Sequence, residues 1–237
     1  MVDIGASLGV GARSSTVKST MIRFTNVSKY FQAQQHKKII LDKANVEFLP
    51  GYSYGLLGVN GAGKSTTLRM ISGTMLPNSG RIYKDCRVSW PLGFAGGFHS
   101  AMTGLDNLRF VARAYGEDVR RVSRFVEDFA ELGDYINAPV RTYSSGMMAR
   151  LAFGLSMAIE FDCYLVDEIT AVGDARFQER CRVAFENRRK TADLIMISHG
   201  MDTIKSYCDK GMVLVDGRLI VFDQVEHAIE AYYRLNR

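Results

Sequence analysis

The chain has 237 residues and a formal net charge of +5 at pH 7. That length suits one α/β domain with a substantial core, and no apolar run approaches the ~18 residues that a membrane span needs. The modest positive balance suits an anionic ligand or an anionic membrane leaflet, and without a basic stripe interleaved with aromatics nucleic acid is not favoured as a partner.

Residues 1–20 are rich in Gly, Ser and other small residues and lack an apolar segment of signal-peptide length. They read as a loose tail ahead of a single domain over 21–237, which points to the cytosol unless another chain holds the protein at a membrane. Cys86, Cys163, Cys181 and Cys208 form no C-x-x-C pair and read as free thiols in a reducing compartment.

Met21 to Phe31 alternates like a strand, and Val46 to Phe48 before Leu49-Pro50-Gly51 predicts another, giving a small antiparallel layer. Tyr54 to Leu57 is a short apolar strand. It runs into Gly58-Val59-Asn60-Gly61-Ala62-Gly63-Lys64-Ser65, with a helix predicted over Thr66 to Ile71. A turn at Pro77 to Gly80 precedes strands at Arg81–Tyr83 and Arg87–Trp90. Thr103 to Asp106 reads as a capping box. The spacing of Val119, Val122, Phe125, Val126, Phe129 and Leu132 predicts a helix that Gly133 ends. With the helical stretch after Tyr143-Ser144-Ser145-Gly146-Met147, this makes an all-helical insert over about 95–160. Buried strands follow at Phe161–Val166 and Leu194–Ser198. A hairpin over Met212–Phe222 turns at Asp216-Gly217, and a helix over Val225–Leu235 finishes the chain.

The loop Gly58–Ser65 fills every fixed position of G-x-x-x-x-G-K-[S/T] in the strand–loop–helix setting the motif requires. Its glycines let successive N–H groups face one point at a helix N-terminus, a site for phosphate. In such a loop Gly58, Asn60, Gly61, Ala62, Gly63 and Thr66 surround the anion. Lys64 reaches the β- and γ-phosphates, and Ser65 offers its hydroxyl to Mg²⁺. Asp167, at the end of an apolar strand, can hold Mg²⁺ through water, and the adjacent Glu168 is suited to orient or polarise the attacking water. Kinases, GTPases and ATPases all remain open at this point, although the guanine-reading N-K-x-D is missing.

Tyr143-Ser144-Ser145-Gly146-Met147 narrows the choice. A serine and small residues with free N–H groups at a helix start make a second anion site. With its order and spacing relative to the other motifs, the sequence resembles the nucleotide-binding subunits of ABC transporters. Ser144 and Gly146 match the family's L-S-G-G-Q signature, while Tyr143, Ser145 and Met147 depart from it. The resemblance implies a phosphate-loop NTPase core of RecA-like type with an antiparallel β layer and an inserted helical subdomain. It also implies MgATP as ligand, and two copies facing each other so that Ser144–Gly146 of one closes on the loop of the other. It matches Asp174 to the D-loop aspartate, His199 to the switch histidine and Phe31 to the aromatic that stacks on adenine, with Tyr30 a neighbour that could do so instead. No glutamine occurs between Gln35 and Gln178, so His99 takes the Q-loop position, beside water or metal.

Within the family, Ser89–Phe94, Gly97-Phe98-His99, Thr103-Gly104, Tyr143–Met147 and Val166–Asp174 are similar to the exporters of capsular polysaccharide, O-antigen and teichoic acid, and most like the short, capsule type. That implies an ATPase held by transmembrane permease subunits at the cytoplasmic face of the inner membrane, exporting a lipid-linked polysaccharide. The rival reading is a soluble ABC-type ATPase acting on nucleic acid or a ribonucleoprotein.

Overall fold

A computed structural model describes residues 21–33, 36–93, 96–168, 174–198 and 200–235. The tail, residues 1–20, lies outside the described residues, as does His199.

Among the described residues, nine strands form two sheets. β1 (Ile22–Ala33), β2 (His36–Phe48) and β4 (Ser79–Lys84) make an antiparallel layer in the order β2-β1-β4. The second sheet runs β5 (Val88–Pro91), β6 (Cys163–Asp167), β7 (Asp193–Ile197), β3 (Tyr54–Leu57), β8 (Lys210–Val215), β9 (Arg218–Phe222). Its first five strands are parallel, and β9 is antiparallel to β8. The turn between them carries Asp216 at φ 46° and Gly217 at φ 76°. Two successive positive φ values match the right-handed twist of the strands, as the Asp-Gly pair predicts.

The central strands β6, β7, β3 and β8 are buried on both faces, so they read as continuous apolar runs. Alternate residues go to opposite sides. Leu56, Cys163, Leu165, Ile195, Ile197, Met212 and Leu214 pack with the antiparallel layer and with α1 (Lys64–Ser72). Leu57, Tyr164, Val166, Leu194, Met196 and Val213 join the helical side. That side includes α2 (Gly104–Ala114), α3 (Val119–Ala130), α4 (Ser145–Ala158), α5 (Ala175–Arg189) and α7 (Val225–Leu235), with α6 (Met201–Tyr207) alongside. The four cysteines are free, three of them buried.

β2, α3, α5 and α6 differ from expectation, α6 (Met201–Tyr207) having no predicted counterpart. β2 starts ten residues before the predicted Val46, because a hairpin strand exposed on both faces over most of residues 36–43 has no apolar alternation to announce it. The helix α5 was not expected. Only Phe177, Cys181 and Phe185 of its fifteen residues are buried, one per turn in a heavily charged segment. α3 ends at Ala130, before the predicted Gly133, with Glu131 in the left-handed region at φ 52°. The Glu131 carboxylate meets Arg180 at 2.8 Å, Arg176 at 3.2 Å and Arg150 at 3.7 Å, and these contacts favour the turn that ends the helix there.

The helices over 104–158 are seated by Gly104. A Cβ there would lie 2.3 Å from the Tyr143 hydroxyl oxygen and 3.1 Å from the Ile136 carbonyl oxygen. The Tyr143 hydroxyl donates to the Tyr135 carbonyl at 2.6 Å. Gly104→Ala should therefore cost about 1–3 kcal/mol through overpacking. Tyr143→Leu, which removes the obstructing oxygen, should cost about 1 kcal/mol alone for the lost hydrogen bond. The double variant should be more stable than the sum of the two single losses. Urea denaturation of the four proteins measures this, and strict additivity would show that the two groups do not obstruct each other.

Candidate functional site

The phosphate loop leaves β3 between two parallel neighbours, β7 and β8, at the carboxyl edge of the sheet where α/β proteins place their ligands. Its shape depends on glycine at two points. Gly58 has φ 156°, and a Cβ would meet the Leu214 carbonyl oxygen at 2.7 Å. Gly63 has φ 109°, and a Cβ would meet Ile40 Cγ2 at 2.3 Å. Gly63 is the N-cap of α1, and it provides no side-chain cap. The first N–H groups of that helix are thus left for a ligand.

Lys64 opens α1 and lies half-buried. Its ammonium donates to the Gly58 carbonyl at 2.6 Å and the Val59 carbonyl at 3.2 Å. Burial pulls its pKa below the usual lysine value, and the charges of Asp167 and Glu168 oppose that shift. All three residues belong to one pocket of about 360 Å³, which Phe31, Asn60, Gly61, Gly63, Ser65 and Thr66 also line. Asp167 ends β6, held there by its pairing with Ile197 of β7. Glu168 extends the ladder by one bond, its N–H donating to the Ile197 carbonyl at 3.0 Å, and then turns into the left-handed region at φ 58°. A glutamate held in that conformation is strained, and the turn takes it out of the strand direction while it still lines the pocket.

The pocket therefore collects most of the residues expected from the sequence. Gly58 and Ala62 belong to the same loop. Phe31 lines the pocket and Tyr30 does not: the Lys37 ammonium lies 4.1 Å from the Tyr30 ring centroid. The Ser65 hydroxyl and the Asp167 carboxylate are hard oxygen donors of the kind Mg²⁺ takes, and the uncapped helix suits a triphosphate. Three lining residues were not anticipated: Lys38, Ile40 and Ile197. Lys38 is the antiparallel partner of Phe31, so the hairpin register was the signal for it.

Other expected residues sit elsewhere. Ser144 caps α4 by accepting a hydrogen bond from Met147 N–H at 3.2 Å, with Ser145 and Gly146 in the first turn. Its own O–H remains able to donate. Asp174 caps α5, accepting from Phe177 N–H at 2.9 Å, and pairs with Arg150 of α4 at 2.8 Å. His99 is exposed and does not line the pocket. Its backbone is fixed by the buried Asn107, which accepts from His99 N–H at 2.8 Å and donates to its carbonyl at 3.2 Å.

A family model described as "ABC transporter" matches residues 41–171. The chain is 47% identical to the ATP-binding protein BexA of Haemophilus influenzae, over 90% of this chain and 98% of that one. It is 46% identical to the capsule polysaccharide export ATP-binding protein CtrD of Neisseria meningitidis serogroup B, over 91% and 100%. It is also 45% identical to a polysialic acid transport ATP-binding protein, KpsT, of Escherichia coli, over 90% and 96%. Among solved structures, the dimeric ATP-binding cassette MJ0796 in a post-hydrolysis state with ADP and Pi superposes with a TM-score of 0.68. It covers 86% of this chain and 99% of that one at 19% identity, a likeness of fold.

The contacts of Asp174 fix a pH dependence. The Phe177 N–H and the Arg150 guanidinium hold its carboxyl below the usual carboxylate range. A lowered folded pKa gives stability that is present above the unfolded value of about 3.9 and is lost as pH falls through the folded one. The difference in melting temperature between wild type and Asp174→Asn should thus stay constant from pH 6 to 8 and close on acidification below about pH 4. A gap that persists at pH 3 would assign the difference to cap geometry rather than charge.

Proposed function

The chain belongs to the ABC transporter family, and on that footing we propose that it is the ATP-hydrolysing subunit of an exporter of lipid-linked capsular polysaccharide. The observation that carries this reading is the near-complete coverage of capsule-export relatives, joined to a pocket that holds the phosphate loop, Asp167 and Glu168 together. An ATPase acting on nucleic acid has no counterpart among those relatives.

The chain's own groups divide the work. The uncapped N–H groups of α1 and the Lys64 ammonium bind the β- and γ-phosphates. Lys64 does so by turning from the Gly58 and Val59 carbonyls that it meets in this structure. Phe31 supplies a face for the base. The Ser65 hydroxyl and the Asp167 carboxylate are the groups that would hold Mg²⁺, which when bound neutralises charge on the β- and γ-phosphates. Glu168, at the end of the parallel strands, orients the attacking water and receives its proton. His199 is assigned to the γ-phosphate by resemblance.

Ser144–Gly146 lie on the helical side of the domain, outside the pocket. We assign them to the nucleotide of a second copy, with the Ser144 O–H donating to a phosphate oxygen, so that a single chain carries half of each hydrolytic site. No helix among the described residues is long and apolar enough to cross a membrane. Permease subunits made by other chains would supply the pore and hold this protein at the inner face of the membrane, and they would contact the glycan.

Lys64→Ala should abolish MgATP binding and turnover. Glu168→Gln should keep binding and lower the ATPase rate by roughly 10²–10⁴-fold. With MgATP, Glu168→Gln should sediment as a dimer, and adding Ser144→Arg should return it to a monomer. In cells deprived of this chain, wild type should restore surface polysaccharide and Lys64→Ala should not. Wild-type hydrolysis by Glu168→Gln would overturn the assignment of that residue. Restoration of surface polysaccharide by Lys64→Ala would overturn the export role.

A further inference from the structure

The nucleotide pocket holds a second lysine that none of the motifs includes. Lys38 sits on β2 directly across from Phe31. A Cβ at Gly61 would lie 3.4 Å from Lys38 Nζ, which places the ammonium over the backbone of the phosphate loop. Its neighbours on the hairpin are committed. The Lys37 ammonium lies over Tyr30, while that of Lys29 donates to the Leu76 carbonyl at 2.9 Å with the Phe31 ring 5.2 Å away. Lys38 makes no ion pair among the described residues.

The charges around the pocket give this position its weight. Its lining carries two carboxylates, Asp167 and Glu168, and two ammonium groups, Lys64 and Lys38. Without Lys38, one cation would face two anions where a polyanion must enter. A carboxylate pair concerned with metal and water does not favour a triphosphate by itself. The second cation restores neutrality, and it stands on the hairpin that carries the aromatic.

We propose that Lys38 is a nucleotide-binding residue whose ammonium engages the polyphosphate of the nucleoside triphosphate. The inference rests on the assignment of this pocket to ATP. Lys38 is exposed, so its attraction is that of a charge pair near water, on the order of 1 kcal/mol at 4 Å and screened by salt. The phosphate part of the affinity should respond to its removal, and the base-stacking part should not.

The test is calorimetric titration of the full chain with AMP, ADP and MgATP at low and high salt. Lys38→Ala and Lys38→Met should weaken MgATP binding by about five- to tenfold at low salt, ADP binding less and AMP binding little. The gap from wild type should shrink in 0.5 M salt, and Lys38→Arg should retain wild-type affinity. Met keeps the apolar stem, so equal losses in Ala and Met assign the effect to charge. Three results would overturn the proposal: equal losses for all three nucleotides, full affinity in Lys38→Met, or a salt-independent gap. A wild-type chain that binds none of the nucleotides would instead overturn the ATP assignment itself, and this inference with it. Lys64→Ala is the comparison, because it should lose MgATP whatever residue 38 is.

Discussion

Helix α1 begins without a side-chain cap, and the site depends on that omission. Thr103, Asp118, Ser144 and Asp174 close the helices α2, α3, α4 and α5 with their own oxygens. Gly63 has no oxygen to offer, so the first N–H groups of α1 stay available to an anion. An uncapped helix end leaves its N–H groups to water or a ligand, and packing fixes the position of this one. Here Ile40 of the antiparallel layer lies against Gly63, and the Leu214 backbone of β8 lies against Gly58. Both contacts require glycine, because any Cβ would collide. The same two glycines therefore shape the loop and admit the layers that brace it.

The helical side is tied down by equally specific contacts. The chain over 100–104 bonds to the chain over 138–141: Arg141 N–H donates to the Ser100 carbonyl at 2.8 Å, Val140 N–H to Met102 at 2.9 Å and Gly104 N–H to Ala138 at 3.3 Å. The first segment of this pairing begins beside His99, and the second runs into Tyr143 and Ser144. Asn107, buried to 2% exposure, binds both the N–H and the carbonyl of His99. Residues 99–104 are thus joined to the segment that leads into α4 by backbone hydrogen bonds rather than through the sheet. Arg150 continues the connection from α4 to Asp174 at the start of α5. These exposed pairs add little stability individually. Arg150, Arg176 and Arg180 also all meet the Glu131 carboxylate at the end of α3.

How much of this was legible in the sequence follows from which forces act locally. The phosphate loop, the Asp216-Gly217 hairpin and the last helix were readable because glycine geometry and short-range periodicity determine them. α5 was not readable, because three buried side chains in fifteen residues make only a narrow stripe within a heavily charged segment. The first ten residues of β2 were hidden for a related reason: they are mostly exposed, and their pairing with β1 is a tertiary fact. The site shows the same division. Gly58 to Thr66, Asp167 and Glu168 lie in motifs that strand ends gather. Lys38 enters only through the register that sets it opposite Phe31, and no spacing in the sequence encodes that.

The departure at Tyr143 shows how a signature can vary while the fold is kept. Leucine at that position would contribute only apolar packing. Tyrosine adds a hydroxyl, which donates to the Tyr135 carbonyl and occupies the space a side chain at residue 104 would need. A phenol is protonated at physiological pH and burial raises its pKa further, so it remains a donor. The extra oxygen ties residue 143 to the Tyr135 carbonyl, while the next hydroxyl, that of Ser144, accepts from Met147 N–H and keeps a proton to donate. Glycine at 104 and tyrosine at 143 therefore act as a pair. The substitution that departs from the family pattern is compatible with the fold because a residue thirty-nine positions earlier has no side chain.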